Sequence, residues 1–169
     1  MKQSGGYEAL RRHRVSLDGT GYFLTLCTRH RVLGLNSSAS GSAIRRELDA
    51  MVNDQTLLLR AAVIMPDHVH LLVVLTGRLT LGQVIGRLKA KTRPALQASG
   101  LAWQGNYYEH RMRPDDPVED VIRYIYLNPY HAHLIRLDEA YPWFWLGEHE
   151  AQWFKPGPEL ERPLPEWLT

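Results

Sequence analysis

Apolar and polar positions alternate most cleanly along Met65-Pro66-Asp67-His68-Val69-His70-Leu71-Leu72-Val73-Val74-Leu75. Val69, Leu71, Val73 and Leu75 form one unbroken apolar set, while His68, His70, Leu72 and Val74 form the other. A period of two is the mark of a β-strand, whose successive side chains leave opposite faces. One face of this strand is therefore fit to hold helices, and the other begins with two imidazoles side by side. The same reading makes Tyr22 to Thr28 a strand by its β-branched and aromatic content. Leu57 to Met65 is a further strand, joined to the histidine strand as a hairpin by the turn pair Pro66-Asp67.

Helical periods lie between these strands. After a Gly- and Ser-rich loop from Gly34, Ser42 is placed to cap a helix with Ile44, Leu48, Met51 and Val52 on its apolar side. Thr80 caps another, carrying Leu81, Val84, Ile85 and Leu88. Trp103 to Met112 reads as a strand containing Tyr107 and Tyr108, and Pro114-Asp115-Asp116-Pro117 opens a last helix that ends near Pro129. The order is β-α-β-β-α-β with an added helix. It predicts an α+β, ferredoxin-like antiparallel sheet with two helices on one face and the added helix on the other. Residues 1–21 are expected to be a basic arm, residues 22–137 the domain, and residues 138–169 a Pro- and Trp-rich tail without periodicity.

Composition adds little until charge is placed along the chain. With 169 residues, 44% hydrophobic and 22% charged, the sequence suits one globular domain. A net charge of +2 does not announce nucleic acid, but its distribution shows two basic groups. Arg11, Arg12 and Arg14 form one with His13, and Arg87, Lys89, Lys91 and Arg93 form the other along the second helix. Such a helix face is either simply solvated or a phosphate-contacting surface. The lone Cys27 excludes an internal disulfide and suits a reducing cytosol. No apolar run approaches a membrane span and the N-terminus lacks a signal-peptide core, so a cytoplasmic protein without a membrane partner is expected.

The chemistry sits on two elements. His68 and His70 can share one divalent metal, or can be half-exposed strand histidines with separate hydrogen bonds. On the last helix Tyr124 and Asn128 stand four apart and so share a face. Laid over the free sheet face, that helix brings a phenol and an amide oxygen to the histidine pair. Asn oxygen is an acceptable third ligand for Mg²⁺ or Mn²⁺. Asp67, next to His68 in sequence, is expected to point to the opposite side if the strand begins there.

In this order the residues resemble the REP-associated tyrosine transposases of the HUH endonuclease superfamily. The similarity covers about residues 22–143. It includes Tyr22-Phe23-Leu24-Thr25, the Met65–Leu72 strand, Leu88-Lys89-Ala90-Lys91-Thr92, Trp103-Gln104 and Tyr108-Glu109-His110. It closes with Tyr124-Ile125-Tyr126-Leu127-Asn128-Pro129 and Tyr141-Pro142-Trp143. The resemblance implies His68, His70 and Asn128 as ligands of Mg²⁺ or Mn²⁺ and Tyr124 as the single nucleophile. Tyr126 points about 200° away on the helix at ~100° per residue. The resemblance further implies cleavage and rejoining of single-stranded DNA at palindromic hairpin repeats through a 5′-phosphotyrosine link. Arg87, Lys89, Lys91 and Arg93 would contact hairpin phosphates, and the arm with Arg11, Arg12 and Arg14 a groove or guide bases. A monomer is expected, with a dimer as the alternative. Two other readings stay open: a repeat-binding protein with little turnover, and a metal-dependent phosphoester hydrolase.

Overall fold

A computed structural model describes residues 19–155 and 165–168. Five strands form one antiparallel sheet: β1 (Gly21–Cys27), β2 (Leu57–Ile64), β3 (His68–Leu75), β4 (Tyr108–Arg111) and β5 (Phe144–Leu146). Their order across the sheet is β4-β1-β3-β2-β5. The first four strands thus have the expected ferredoxin-like arrangement, and β5 is an addition outside β2. The helices are α1 (Ser38–Asn53), α2 (Leu81–Ala98), α3 (Val118–His131) and α4 (Glu148–Trp153).

The alternation read in the sequence sorts the core into two clusters. Leu24, Leu26, Ala62, Ile64, Val69, Leu71, Val73 and Leu75 face α1 and α2, which contribute Ile44, Leu48, Met51, Val84, Ile85 and Leu88. On the other face Phe23, Ala61, Val63 and Leu72 pack with Val121, Ile122 and Ile125 of α3. A shift of register between Leu59 and Ala61 marks a bulge at Arg60. It resets the phase of β2, so that Ala61 and Val63 come to the α3 side while Leu57 and Leu59 stay with α1 and α2.

Local chemistry explains the element ends. Thr80 and Gln83 form a reciprocal capping box at the start of α2. For α1 the cap is Ser37, whose hydroxyl accepts from the Ser40 amide, and not Ser42; the helix begins inside the stretch expected to be loop. Gly41 lies in its first turn, where the Trp143 ring occupies the place a Cβ would take, 2.7 Å from its nearest atom. The strand expected over 103–112 also shrinks. Trp103 makes one isolated bridge to Thr28, and regular pairing with β1 is confined to Tyr108–Arg111. Between the two, the Lys89 ammonium donates to the carbonyls of Gln104, Gly105 and Asn106, while the Gln104 amide still donates to the Cys27 carbonyl of β1. The stretch from residue 138 is partly regular. The Tyr141 hydroxyl donates to the Ile64 carbonyl and the Ile64 amide to the Trp143 carbonyl, steering β5 onto the edge of β2.

Candidate active site on the open sheet face

The register sets the first layer of the site. Thr25 stands opposite His70, and Cys27 opposite His68, so all four side chains emerge on the α3 face. His70 is buried at 6% exposure, with Phe23 stacked beneath it at 5.3 Å between ring centroids. Its Nδ1 lies 2.9 Å from the Thr25 hydroxyl. His68 Nδ1 lies 2.6 Å from an Asp67 carboxylate oxygen. Asp67 therefore does not point away from His68. It belongs to the turn, since β3 starts at His68, and strand alternation does not yet apply to it.

These contacts fix what the rings present. A carboxylate only accepts hydrogen bonds, so His68 donates from Nδ1 and keeps its lone pair on Nε2. His70 can donate from Nδ1 in the same way, and the Leu24 backbone also hydrogen-bonds this ring. The two Nε2 atoms then face one another 3.1 Å apart. Two lone pairs at that separation repel unless a proton or a cation lies between them. Bonds of about 2.0–2.1 Å to a divalent ion place adjacent ligand atoms of an octahedral shell roughly 3 Å apart. The pair fits a shared metal.

Burial disfavours the charged form of both rings. It is the largest influence on His68 and on His70, pushing their proton affinities below the ordinary histidine value, far below it for His70. Asp67 works against the shift at His68, and the charge of Arg31 reinforces it at both. Neutral imidazole is the ligating form. Among the described residues no group of three His, Cys, Asp or Glu side chains is placed to hold a metal ion. A third protein ligand must come from elsewhere, and Asn128 lies near enough to His68 to act on its proton affinity.

α3 supplies the second layer. Its apolar residues Val121, Ile122 and Ile125 seat it on the sheet, which turns Tyr124 and Asn128 toward the histidines. The Tyr124 ring is half-buried, 5.3 Å from His70 and 6.0 Å from Phe23 between centroids. Tyr126 faces away, packed on Phe144 and Tyr130 and hydrogen-bonded to the Tyr130 hydroxyl. Burial pushes the Tyr130 phenol up to about 12. On the same sheet face, His110 of β4 is held by Asp116, and the Trp167 indole lies flat on its ring at 3.6 Å.

The fold thus brings together His68, His70, Tyr124 and Asn128, four residues drawn from two distant stretches of sequence. It does not bring the basic residues of α2 to them, since that helix packs on the opposite face. Arg87 is committed to Glu47 and Asp54 at 2.7 and 2.6 Å, tying α2 to α1. Lys89 braces the 104–106 loop, and burial lowers its proton affinity. Lys91 and Arg93 are exposed. Arg11, Arg12 and Arg14 lie outside the described residues. Thr25, which orients the His70 ring, escaped the sequence reading, and Asp67, which orients His68, was expected on the opposite side. A carboxylate beside a candidate ligand was the available signal for Asp67.

Comparison with known proteins bears on this arrangement. Residues 17–128 match the model of the family described as "Transposase IS200 like". The chain belongs to that transposase family. The structure of a REP-associated tyrosine transposase, bound in that study to a REP hairpin, is similar over 78% of this chain and 79% of that one. It has a TM-score of 0.65 at 22% identity, so the two share a fold. A transposase candidate from Deinococcus radiodurans R1 aligns over 68% of this chain and 88% of its own, with a TM-score of 0.47 and 22% identity. No curated protein matches the sequence. Among the described residues of this transposase, no helix is long and apolar enough to cross a membrane.

Proposed function

We propose that this transposase cleaves and rejoins single-stranded DNA at hairpin-forming palindromic repeats, using Tyr124 as its nucleophile. The observation that carries the reading is the seating of Tyr124 and Asn128, one helical turn apart, over the paired Nε2 atoms of His68 and His70. His68, His70 and Asn128 would hold Mg²⁺ or Mn²⁺, which when bound polarises the scissile phosphate and offsets its charge.

A free tyrosine hydroxyl has a pKa of about 10 and needs help to attack at neutral pH. Tyr124 is held against His70 and Phe23, so its oxygen meets the phosphorus from a fixed direction. The phenolic oxygen forms a bond to phosphorus as the bond to the 3′ oxygen breaks. The phenol proton is lost, and the leaving strand takes up a proton as a free 3′-hydroxyl. The 5′-phosphotyrosine ester keeps the bond energy, so a 3′-hydroxyl can attack it, release Tyr124 and reseal DNA without ATP. A hydrolase would instead activate water and would have no use for Tyr124.

The hairpin as substrate is supported by the shared fold with a protein solved on a REP hairpin. Exposed Lys91 and Arg93, and the arm with Arg11, Arg12 and Arg14, are the proposed phosphate contacts, and their contribution should fade steeply with salt. The protein is proposed to act as a cytoplasmic monomer.

The deciding experiment mixes the protein with a labelled single-stranded hairpin from the repeats flanking its gene, with Mn²⁺ or Mg²⁺. Denaturing gels should show a covalent protein–DNA band that is lost in Tyr124→Phe and His68→Ala. Binding without an adduct would favour a repeat-binding protein, and cleavage surviving Tyr124→Phe would make water the nucleophile.

A further inference from the structure

The segment leaving β1 brings another charged group to the His68 end of the site. Thr28 is fully buried; its amide donates to the Asp67 carbonyl at 2.8 Å, and its hydroxyl donates to the Val32 carbonyl at 2.8 Å, across the turn. Six residues on, the amides of Gly34 and Leu35 both donate to the Pro66 carbonyl at 2.8 Å. The chain between these anchors closes through a turn in which His30 and Arg31 have φ of 58° and 57°. That left-handed region costs an L-residue roughly 1–2 kcal/mol.

The turn folds the Arg31 side chain back over the hairpin. Its Nε lies 2.8 Å from one Asp67 oxygen, while the other Asp67 oxygen holds His68. Its Nη1 lies 2.7 Å from Cys27 Sγ, and Cys27 is the register partner of His68. The Arg31 side chain nevertheless remains 53% exposed, and its Nη2 has no protein partner among the described residues. Its charge is felt at both imidazoles.

A half-exposed ion pair does not repay two strained residues, being worth at most about 1 kcal/mol. What the turn achieves is a guanidinium fixed at the rim of the site, beside the carboxylate that holds His68. The guanidinium nitrogen left open can make a charge-assisted hydrogen bond to a phosphate oxygen.

We infer that Arg31 is a further catalytic residue, gripping a non-bridging oxygen of the phosphodiester that Tyr124 attacks. This rests on the strand-transfer reading above. As the tyrosine oxygen joins phosphorus, the phosphodiester gains negative charge, and Arg31 is positioned to carry part of it.

The test uses the full chain, the same hairpin oligonucleotide and Mn²⁺, under single-turnover conditions with saturating DNA. Arg31→Ala should slow adduct formation roughly 100- to 1000-fold, the scale of losing one preorganised donor. Arg31→Lys should recover part of the rate. Electron paramagnetic resonance titration should show Mn²⁺ affinity without DNA unchanged in both variants, because Asp67 still holds His68. A wild-type rate in Arg31→Ala overturns the inference. So does a loss of rate matched by an equal loss of Mn²⁺ affinity, which would make Arg31 only a brace for Asp67. A wild-type protein that forms no adduct defeats the strand-transfer reading itself, and the inference with it. An adduct that forms equally well in Arg31→Ala defeats the inference alone.

Discussion

The two faces of the central sheet are built from the same strands and have opposite characters. Toward α1 and α2, β3 presents Val69, Leu71, Val73 and Leu75, all sealed in apolar packing. Toward α3 it presents His70 and His68, and the apolar cluster gives way to Thr25, Asn128 and Tyr124 at one end. Stability is concentrated on the first face and chemistry on the second, one residue apart along the same strand. Polar groups are tolerated there because each finds a partner: Thr25 for His70, Asp67 for His68.

Paired substitutions test that division. The largest effect belongs to Tyr124→Phe, which should reduce covalent adduct formation at least roughly 10⁴-fold, as removing a nucleophile does. Its urea midpoint should stay close to wild type. A large drop would mean that the hydroxyl serves packing. Leu71→Ala, on the other face, should cost about 2–5 kcal/mol of unfolding free energy. The folded fraction should bind Mn²⁺ normally, and a weakened metal site with intact stability would reverse the assignment of faces. Next comes Asp67→Asn, expected to weaken Mn²⁺ affinity about 10- to 100-fold by loosening His68. Calorimetry reads this directly, and unchanged affinity would remove Asp67 from the site.

The smallest effect is on pH. Buried His68 and His70 hold protons less tightly folded than unfolded, so below the ordinary value of 6.5 the unfolded chain takes up more protons. Their contribution is fully present above pH 6.5 and is lost as the pH falls from there toward their lowered folded values. Denaturation in a chelator should show a flat midpoint from pH 8 to 7 and a decline between pH 6.5 and 5. A midpoint flat to pH 5 would show that the rings are not shielded.

Much of this was legible in the sequence because one rule governs it. Period two placed His68 and His70 together and Leu71 with Val73 on the other side, and the i, i+4 spacing aligned Tyr124 with Asn128. What escaped was set by contacts rather than by period. Asp67 lies in a turn, where alternation gives no direction. α1 begins at Ser38 in a Gly- and Ser-rich stretch that reads as loop, and its Gly41 admits Trp143, a residue about a hundred positions away in sequence. Lys89 and Arg87 read as free cations because their partners, the 104–106 carbonyls, Glu47 and Asp54, become neighbours only on folding.

The sheet also tapers. Its centre holds the apolar run Leu71-Leu72-Val73-Val74-Leu75, a composition prone to stacking with copies of itself, but β1 and β2 hydrogen-bond it from either side. The margins are β4 with four residues and β5 with three, so little backbone is offered to another sheet. β5 thereby acts as a guard strand. A chain ending before Phe144 would uncover the β2 edge over Ala61–Val63 and should gather into oligomers by strand addition.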